Sequence, residues 1–418
     1  MLFGSSGIRR PFDQTLISLA QLVGSAVATG TETAILATDT RTSNQILADA
    51  VISGLIANGA HVRYGGIAPT PTVALATKHA DAGVMITASH NPENYNGIKL
   101  FRPDGSSYTL AQQKDIEDRI NTPEWKPWDS LGSLTDTDII TPHKDIIQNS
   151  IALPDDQTII VDCANGAGGQ ITPDILGATG STVIPVNCEP SGHFNRPSEP
   201  LEKNLLHIPA LIKKHNASCA IVNDGDADRM MAFDNRGRYI NGDQLLMLFA
   251  QYLDAKQIVT TTDASMAIEE MGTVRRTPVG DSFVSEELIR WGDFGGEPSG
   301  SWIFPKHSLC PDGVYAASLF SEIAHEWNIA EKLDELPNYP ILRDAVIAER
   351  GHDILKYLGA QNPTEGIRIA GENGWFLIRA SGTEPKVRCT AEGKTKEDAE
   401  QMLSRGMKQI RQAVHHLK

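Results

Sequence analysis

The sequence predicts an α/β protein built from three repeated modules, followed by a smaller α+β domain. Three observations predict it. Segments opening at residues 33, 158 and 257 share one order: an apolar strand, a polar turn, a helix-like run and a second strand. Such units imply parallel pairing and right-handed crossovers. The tail breaks this rhythm, and four polar clusters each follow a strand-like run, one to a module.

In chain order, "FGSSGIRR" places Arg9 beside a glycine-hydroxyl loop. Thr33 opens "TAILATDTR", and Leu47, Val51, Gly54 and Leu55 then fall at helical spacing, with Gly59 as a C-terminal stop. Val84-Met85-Ile86 predicts a short buried strand, and "TASHNPENYNGIKL" follows it. Thr158 opens "TIIVDCANGAGGQITPDILGATGSTVIPVN", and Gln257 opens "QIVTTTDASMAIEEMGTVRRTPVG". Pro337 and Pro340 mark a linker. "IRIAGENGWFLIRA" predicts a hairpin around Asn373-Gly374. The last element is an amphipathic helix from Lys396, with Thr395 and Asp398 spaced as a capping box. The expected divisions are 1–140, 141–242, 243–335 and 336–418.

Composition narrows the function classes. Forty per cent of the 418 residues are hydrophobic and 21% charged, as in a globular protein of about three domains. No signal peptide or membrane-spanning run is visible, and five scattered cysteines without a CxxC suit reduced thiols, so a cytoplasmic protein is expected. The net charge of −15 argues against nucleic-acid binding and confines any anion site to a local island of Arg, Lys and backbone N–H groups.

The clusters carry the chemistry. Ser89 sits past a strand on a loop where side chains are expected to be exposed; His90 is adjacent, and neighbours point apart, so a simple Ser–His dyad is not expected. Asn96-Gly97 is expected to turn the chain and return Lys99 to the same site. A capped strand-to-helix turn accounts for the serine and asparagines equally well when taken alone. In "DGDADR", Asp224, Asp226 and Asp228 alternate on what is expected to be an extended loop, and three converging carboxylates call for a hard divalent cation such as Mg²⁺ or Mn²⁺. An EF-hand fails because its sixth position is Arg229 and its twelfth Asn235; an aspartyl-nucleophile phosphatase motif fails at Asp228. A solvated acidic turn is the plain alternative. In "GGEPSGSW", Glu297 and Ser299 offer polar groups to sugar hydroxyls. In "RASGTEPKVR", Ser381, Gly382 and Thr383 form a short loop suited to an oxyanion, with Arg379 and Arg388 as fork donors. A carried phosphoryl group, a cation, a sugar and a second phosphate together describe phosphoryl transfer within one phosphosugar.

"TASHNP", "DGDADR", "GEPSG" and "RASGTEP", in this order, resemble the α-D-phosphohexomutase superfamily over nearly the whole chain. The resemblance implies four domains around a central cleft: three α/β repeats with mixed, mostly parallel sheets, and a mobile, TBP-like α+β cap. It implies that Ser89 becomes phosphoserine and completes a Mg²⁺ site, one ion per chain, with Asp224, Asp226 and Asp228. It places Arg9, His90, Lys99 and Arg229 around the transferred phosphate, with Lys99 as general acid/base. Glu297 and Ser299 would touch the sugar; Arg379, Ser381, Gly382, Thr383 and Arg388 would cradle its phosphate. A hexose 1,6-bisphosphate would be primer and intermediate, and the partner a small phosphosugar, with neither nucleic acid nor membrane involved and the chain a monomer or homodimer. "PVGDSF" and "GGEPSGSWIFP" favour the glucosamine-type branch, converting glucosamine 6-phosphate and 1-phosphate. A broad phosphomannomutase/phosphoglucomutase and a metal-dependent sugar phosphatase are the rivals; a catalytically silent sugar-phosphate binding protein is a third, which the intact serine, triad and lysine argue against. Many members carry histidine where this chain has Ser301; His307 is the candidate substitute.

Overall fold

The computed structural model describes residues 2–4, 6–123, 125–360, 366–380 and 385–417. Apolar runs rich in Val, Ile and Ala become central strands, because both faces of a parallel sheet are covered by helices. The first sheet has strand order Ile8–Pro11, Tyr95–Phe101, Ala82–Ile86, Thr33–Thr38, His61–Ile67 and Leu134–Asp136. Its middle is parallel, and Tyr95–Phe101 runs antiparallel to both neighbours. The second sheet is ordered Tyr239–Ile240, Met230–Phe233, Cys219–Asn223, Thr158–Asp162, Thr182–Val186, and the third Thr273–Thr277, Gln257–Thr261, Phe294–Glu297, Ser301–Ile303. Each combines parallel pairs with an antiparallel edge.

The fourth sheet is antiparallel throughout: Ile341–Ile347, Lys386–Gly393, Gly374–Ala380, Ile367–Gly371. The helix Lys396–His416 packs on it, opened by the predicted Thr395/Asp398 capping box. One hydrophobic core runs through the second and third modules, from Ile147 to Leu336. The fourth module has a core of its own, from Ile354 to Ala413. All five cysteines are free thiols. Among the described residues no helix is long and apolar enough to cross a membrane.

Three local expectations are corrected. Asn96-Gly97 is not a turn: both residues lie inside Tyr95–Phe101. Glycine is required there because a Cβ on Gly97 would come within 1.9 Å of the Ile8 carbonyl oxygen. The reversal is made upstream, where Asn91 N–H donates to Ala88 O and Tyr95 N–H to Pro92 O. The hairpin of the fourth sheet turns at Glu372 and Asn373, one residue early, since Gly371 pairs with Gly374. Between Gln257–Thr261 and Thr273–Thr277 the helix-like run is only a 3₁₀ turn, Met266–Glu270.

Helices Gln14–Ala28 and Asn44–Ala57 cover the first sheet and touch backbone to backbone. A Cβ on Gly24 would lie 2.2 Å from Val51 O, and one on Gly54 would lie 2.1 Å from Gln21 O. Gly54→Ala should therefore lower the urea midpoint, costing about 1–3 kcal/mol through forced separation, although alanine gains about 1 kcal/mol in helix propensity. An unchanged or higher midpoint would contradict this packing.

Candidate active site

Strand Ala82–Ile86 delivers Thr87, Ala88 and Ser89 to the edge of the first module. Ser89 is not exposed as expected: it is 1% accessible and held at φ +50°. A non-glycine residue there carries backbone strain of order 1–3 kcal/mol, so its surroundings must over-determine it. They do. Arg41, itself buried, donates from Nη2 to the carbonyls of Ser89 (2.7 Å) and Asn91 (2.8 Å), and from Nη1 to Pro92 (2.6 Å) and Tyr95 (2.8 Å). Asp39 orients Arg41 through its Nε and accepts from Thr87 Oγ1, which in turn accepts from Ser89 N–H. Ser89 Oγ lies 3.4 Å from His90 Nδ1, contrary to the expectation that they point apart. Burial, then the Arg229 and Arg9 charges, push His90 down to about 2, so its imidazole is neutral.

The acidic triad lies in a tight turn after Cys219–Asn223, with Ala227 at φ +53°, rather than in an extended loop. The turn still gathers Asp224, Asp226 and Asp228, with ligand oxygens from each within 4.8 Å of one another. Ser89 Oγ donates to Asp224 Oδ2 at 2.9 Å, so the hydroxyl and the acids share one site. Lys99 Nζ donates to Asp226 Oδ2 (2.6 Å) and Asp228 Oδ2 (2.5 Å). Burial pulls Lys99 down, yet these two carboxylates hold it above the usual lysine range. Burial pushes Asp224 and Asp228 up, aided by their acidic neighbours; for Asp226 burial is outweighed by Lys99 and Thr70. Asp226 Oδ1 and Asp228 Oδ1 are buried without a hydrogen-bond partner. A buried carboxylate oxygen left without a donor is costly, and oxygen-only donors at this spacing fit a hard divalent cation.

Arg229 follows the triad; its N–H donates to Asp224 and its guanidinium lies 3.9 Å from Glu199. Arg9 sits on Ile8–Pro11 opposite Gly97, close enough for its charge to act on His90, Lys99 and Asp226. Glu297 ends Phe294–Glu297 and is buried; its carboxylate accepts from Gly280 N–H at 2.5 Å and from exposed Ser299 Oγ at 3.0 Å. Burial, then the Asp281 charge, push Glu297 up to about 7 against the pull of Arg229. Arg379 and Arg388 face each other across paired strands, and Arg379 Nη1 lies 3.9 Å from Asp263. Ser381, Gly382 and Thr383 lie outside the described residues. A cleft of about 840 Å³ opens beside His90, between residues 90–94 and 194–204.

His307 does not stand in at the sugar loop. Its Nε2 contacts Asp312 Oδ2 at 2.8 Å, alongside His143 Nε2 at 3.0 Å, and its ring stacks on Tyr315. Nor is it a surface residue, since its side chain is 5% exposed. Several supporting residues escaped the sequence reading: Arg41 and Asp39; Ser198, whose Oγ donates to Ser89 O and accepts from Gly225 N–H; Thr70, which donates to Asp226; and Asp281, which accepts from Ser6 and whose charge reaches Lys99, Asp228 and Glu297. Only polar residues near strand ends in "ATDTR" hinted at the first pair.

Arg41→Ala removes four carbonyl contacts at once and should destabilise the protein by about 2–4 kcal/mol, read by thermal unfolding, with faster amide exchange over residues 89–95. Unchanged exchange there would deny Arg41 its clamp role. Glu297 titrates above its ordinary value of 4.5, so its stabilising contribution is full below that pH and lost as pH rises through about 7. The melting temperature of Glu297→Gln should therefore gain on the unsubstituted protein between about pH 5 and pH 8. Parallel pH profiles would refute the raised value.

Four descriptions of one family match the chain in order: phosphoglucomutase/phosphomannomutase alpha/beta/alpha domain I at residues 1–127, domain II at 143–237, domain III at 241–339, and the C-terminal domain at 342–408. A probable phosphoglucosamine mutase of Methanococcoides burtonii is 41% identical over 434 aligned positions, covering 99% of this chain and all of that one. The fold is similar to that of a phosphoglucomutase/phosphomannomutase family protein of Burkholderia thailandensis, with a TM-score of 0.84 at 24% identity, over 99% of this chain and 98% of that one. It is also similar to that of an Aspergillus fumigatus N-acetylphosphoglucosamine mutase solved with GlcNAc-6P and magnesium, with a TM-score of 0.65 at 17% identity, over 99% and 96% of the two chains. With all four matched segments in sequence and a full-length relative at this identity, the chain belongs to the phosphoglucomutase/phosphomannomutase family.

Proposed function

We propose that this protein is a phosphohexomutase that interconverts glucosamine 6-phosphate and glucosamine 1-phosphate through a phosphoserine at residue 89 and a 1,6-bisphosphate. One observation carries the reading: Ser89 Oγ sits 2.9 Å from Asp224, in the cluster where Asp226 and Asp228 each keep a buried oxygen without a donor. The names borne by archaeal relatives, probable phosphoglucosamine mutase at 41% and 40% identity, support the sugar. The triad and the Ser89 oxygen would hold Mg²⁺, one per chain, which when bound neutralises charge on the transferring phosphoryl group.

This chain's own residues do the rest. The 6- or 1-hydroxyl of the bound sugar monophosphate attacks the phosphorus on Ser89; the new P–O bond forms as the P–Oγ bond breaks. The bisphosphate turns over in the cleft and returns its other phosphoryl group to Ser89. Lys99, cationic and fixed by two carboxylates, gives a proton to the departing Ser89 oxygen and is re-protonated by the proton that the attacking sugar hydroxyl gives up; on return the two oxygens exchange these parts. Arg9 and Arg229 add positive charge around the moving group, and neutral His90 offers Nδ1 to the serine oxygen. Glu297 and Ser299 hold sugar hydroxyls, and the edge carrying Arg379 and Arg388 takes the phosphate that is not reacting. Because both ends of the substrate present a phosphate in turn, one arginine edge serves both orientations.

Intact-mass and peptide analysis should find a phosphoryl group on Ser89. Ser89→Ala should lose it together with at least about 10³-fold in mutase rate. EDTA should abolish turnover and added Mg²⁺ restore it. Initial rates should be highest with glucosamine 6-phosphate, compared with the glucose and mannose 6-phosphates. An active Ser89→Ala, or steady release of inorganic phosphate without isomer, would overturn the mutase assignment.

A further inference from the structure

The fourth module meets the rest of the molecule through a polar joint, and one buried acid dominates it. Glu392, near the end of strand Lys386–Gly393, is fully buried. Its Oε1 accepts from Ser265 Oγ at 2.5 Å; its Oε2 accepts from Met266 N–H at 2.7 Å and from Trp375 Nε1 at 2.5 Å. Trp375 belongs to the fourth module, whereas Ser265 and Met266 belong to the third. The loop that offers them is itself fixed. Ser265 N–H donates to Asp243 Oδ1 at 2.7 Å, and Arg276 donates to the carbonyls of Thr261, Ala264 and Ser265.

Register ties this joint to the arginine edge. Trp375 pairs with Glu392, and Arg379 pairs with Arg388, on the same two strands. The pairs are separated by four residues on each strand. An even spacing puts both on one face of the sheet, about 13 Å apart. The opposite face, with Phe376, Ile378 and Cys389, is buried in the module's own core. Arg379 lies 3.9 Å from Asp263, on the same third-module loop that holds Glu392. The joint and the arginine edge therefore share a rigid ribbon and a common support.

We propose that Glu392 is a positioning residue: by anchoring the ribbon to residues 265 and 266, it sets the distance and tilt at which Arg379 and Arg388 meet the substrate's phosphate. This rests on the assignment of those arginines to phosphate binding under the proposed function. A carboxylate suits the task because it accepts three donors from two modules at once, which no neutral side chain of similar size does.

The test is steady-state kinetics of Glu392→Ala, Glu392→Gln and Ser265→Ala with the sugar monophosphate, alongside melting temperature and Ser89 phosphoryl content by mass. Glu392→Ala should raise KM about tenfold or more, with a smaller fall in kcat. Glu392→Gln, which keeps one acceptor oxygen, should recover part of the loss. Ser265→Ala, placed outside the fourth module, should raise KM in the same direction, so that the inference stays testable if Glu392→Ala fails to fold. Phosphoryl content on Ser89 should not change. An unchanged KM in Ser265→Ala and Glu392→Gln, or a loss confined to kcat, would overturn the positioning role. If the unsubstituted protein shows no mutase activity and no phosphoserine, it is the proposed function that fails.

Discussion

Three buried carboxylates within one turn set the terms for the rest of the site. Their mutual repulsion in a site with little access to water must be offset, and the fold supplies Lys99 from a different module to do part of it. Arg229 and Arg9 add positive charge nearby, while the direct hydrogen bonds to Asp226 and Asp228 come from Lys99 and Thr70. A deficit remains locally, since the oxygens that face Lys99 are satisfied while Asp226 Oδ1 and Asp228 Oδ1 are not. Two buried carboxylate oxygens are therefore left for a donor or a cation to satisfy, and the serine hydroxyl stands beside them. The same imbalance binds the first module to the second, because Ser89, Thr70 and Lys99 all reach across to acids of the triad.

The two loops that meet there are both strained. Ser89 and Ala227 hold left-handed backbone conformations without being glycine. Such positions persist only where several contacts hold them. Arg41 and Asp39 hold the first from below; Ser198 stitches it to the second by touching Ser89 O and Gly225 N–H together. A further loop backs the triad, where Ala167 N–H donates to Gly225 O and a Cβ on Gly166 would strike the same carbonyl. The result is a hydroxyl fixed in place before any ligand arrives, as positioning-dominated phosphoryl transfer requires.

Much of this was legible in the sequence, and the rest was hidden for definable reasons. Strand–turn–helix order and the four clusters depend on local composition, so the module count and the convergence of Asp224, Asp226 and Asp228 could be read directly. Local conformation was less accessible. Asn96-Gly97 has strong turn chemistry, but the close approach of Ile8 overrides it and keeps both residues in a strand. Burial of Ser89 comes from the second module closing over it, which no pattern within "TASHNP" encodes. Arg41, Ser198 and Glu392 each reach a partner far along the chain, 48, 109 and 127 residues away. A histidine so near the sugar loop as His307 invited the wrong assignment because its true partners, Asp312 and His143, come together only in the folded chain.

The division of cores explains why these long-range polar contacts matter. The second and third modules share one apolar core and so behave as a unit, whereas the fourth keeps its own. An interface without a shared core tolerates relative movement. Movement is useful for admitting and turning a charged substrate, but it is incompatible with arginines that must meet a phosphate at one geometry. A buried carboxylate that accepts from both sides reconciles the two demands. Its hydrogen bonds are directional, so the joint has one preferred angle, and they can be exchanged for water, so the joint can open. An apolar patch of equal area would resist opening without specifying the angle, which is why a polar joint is the better physical match to a substrate that has to be released, turned and held again.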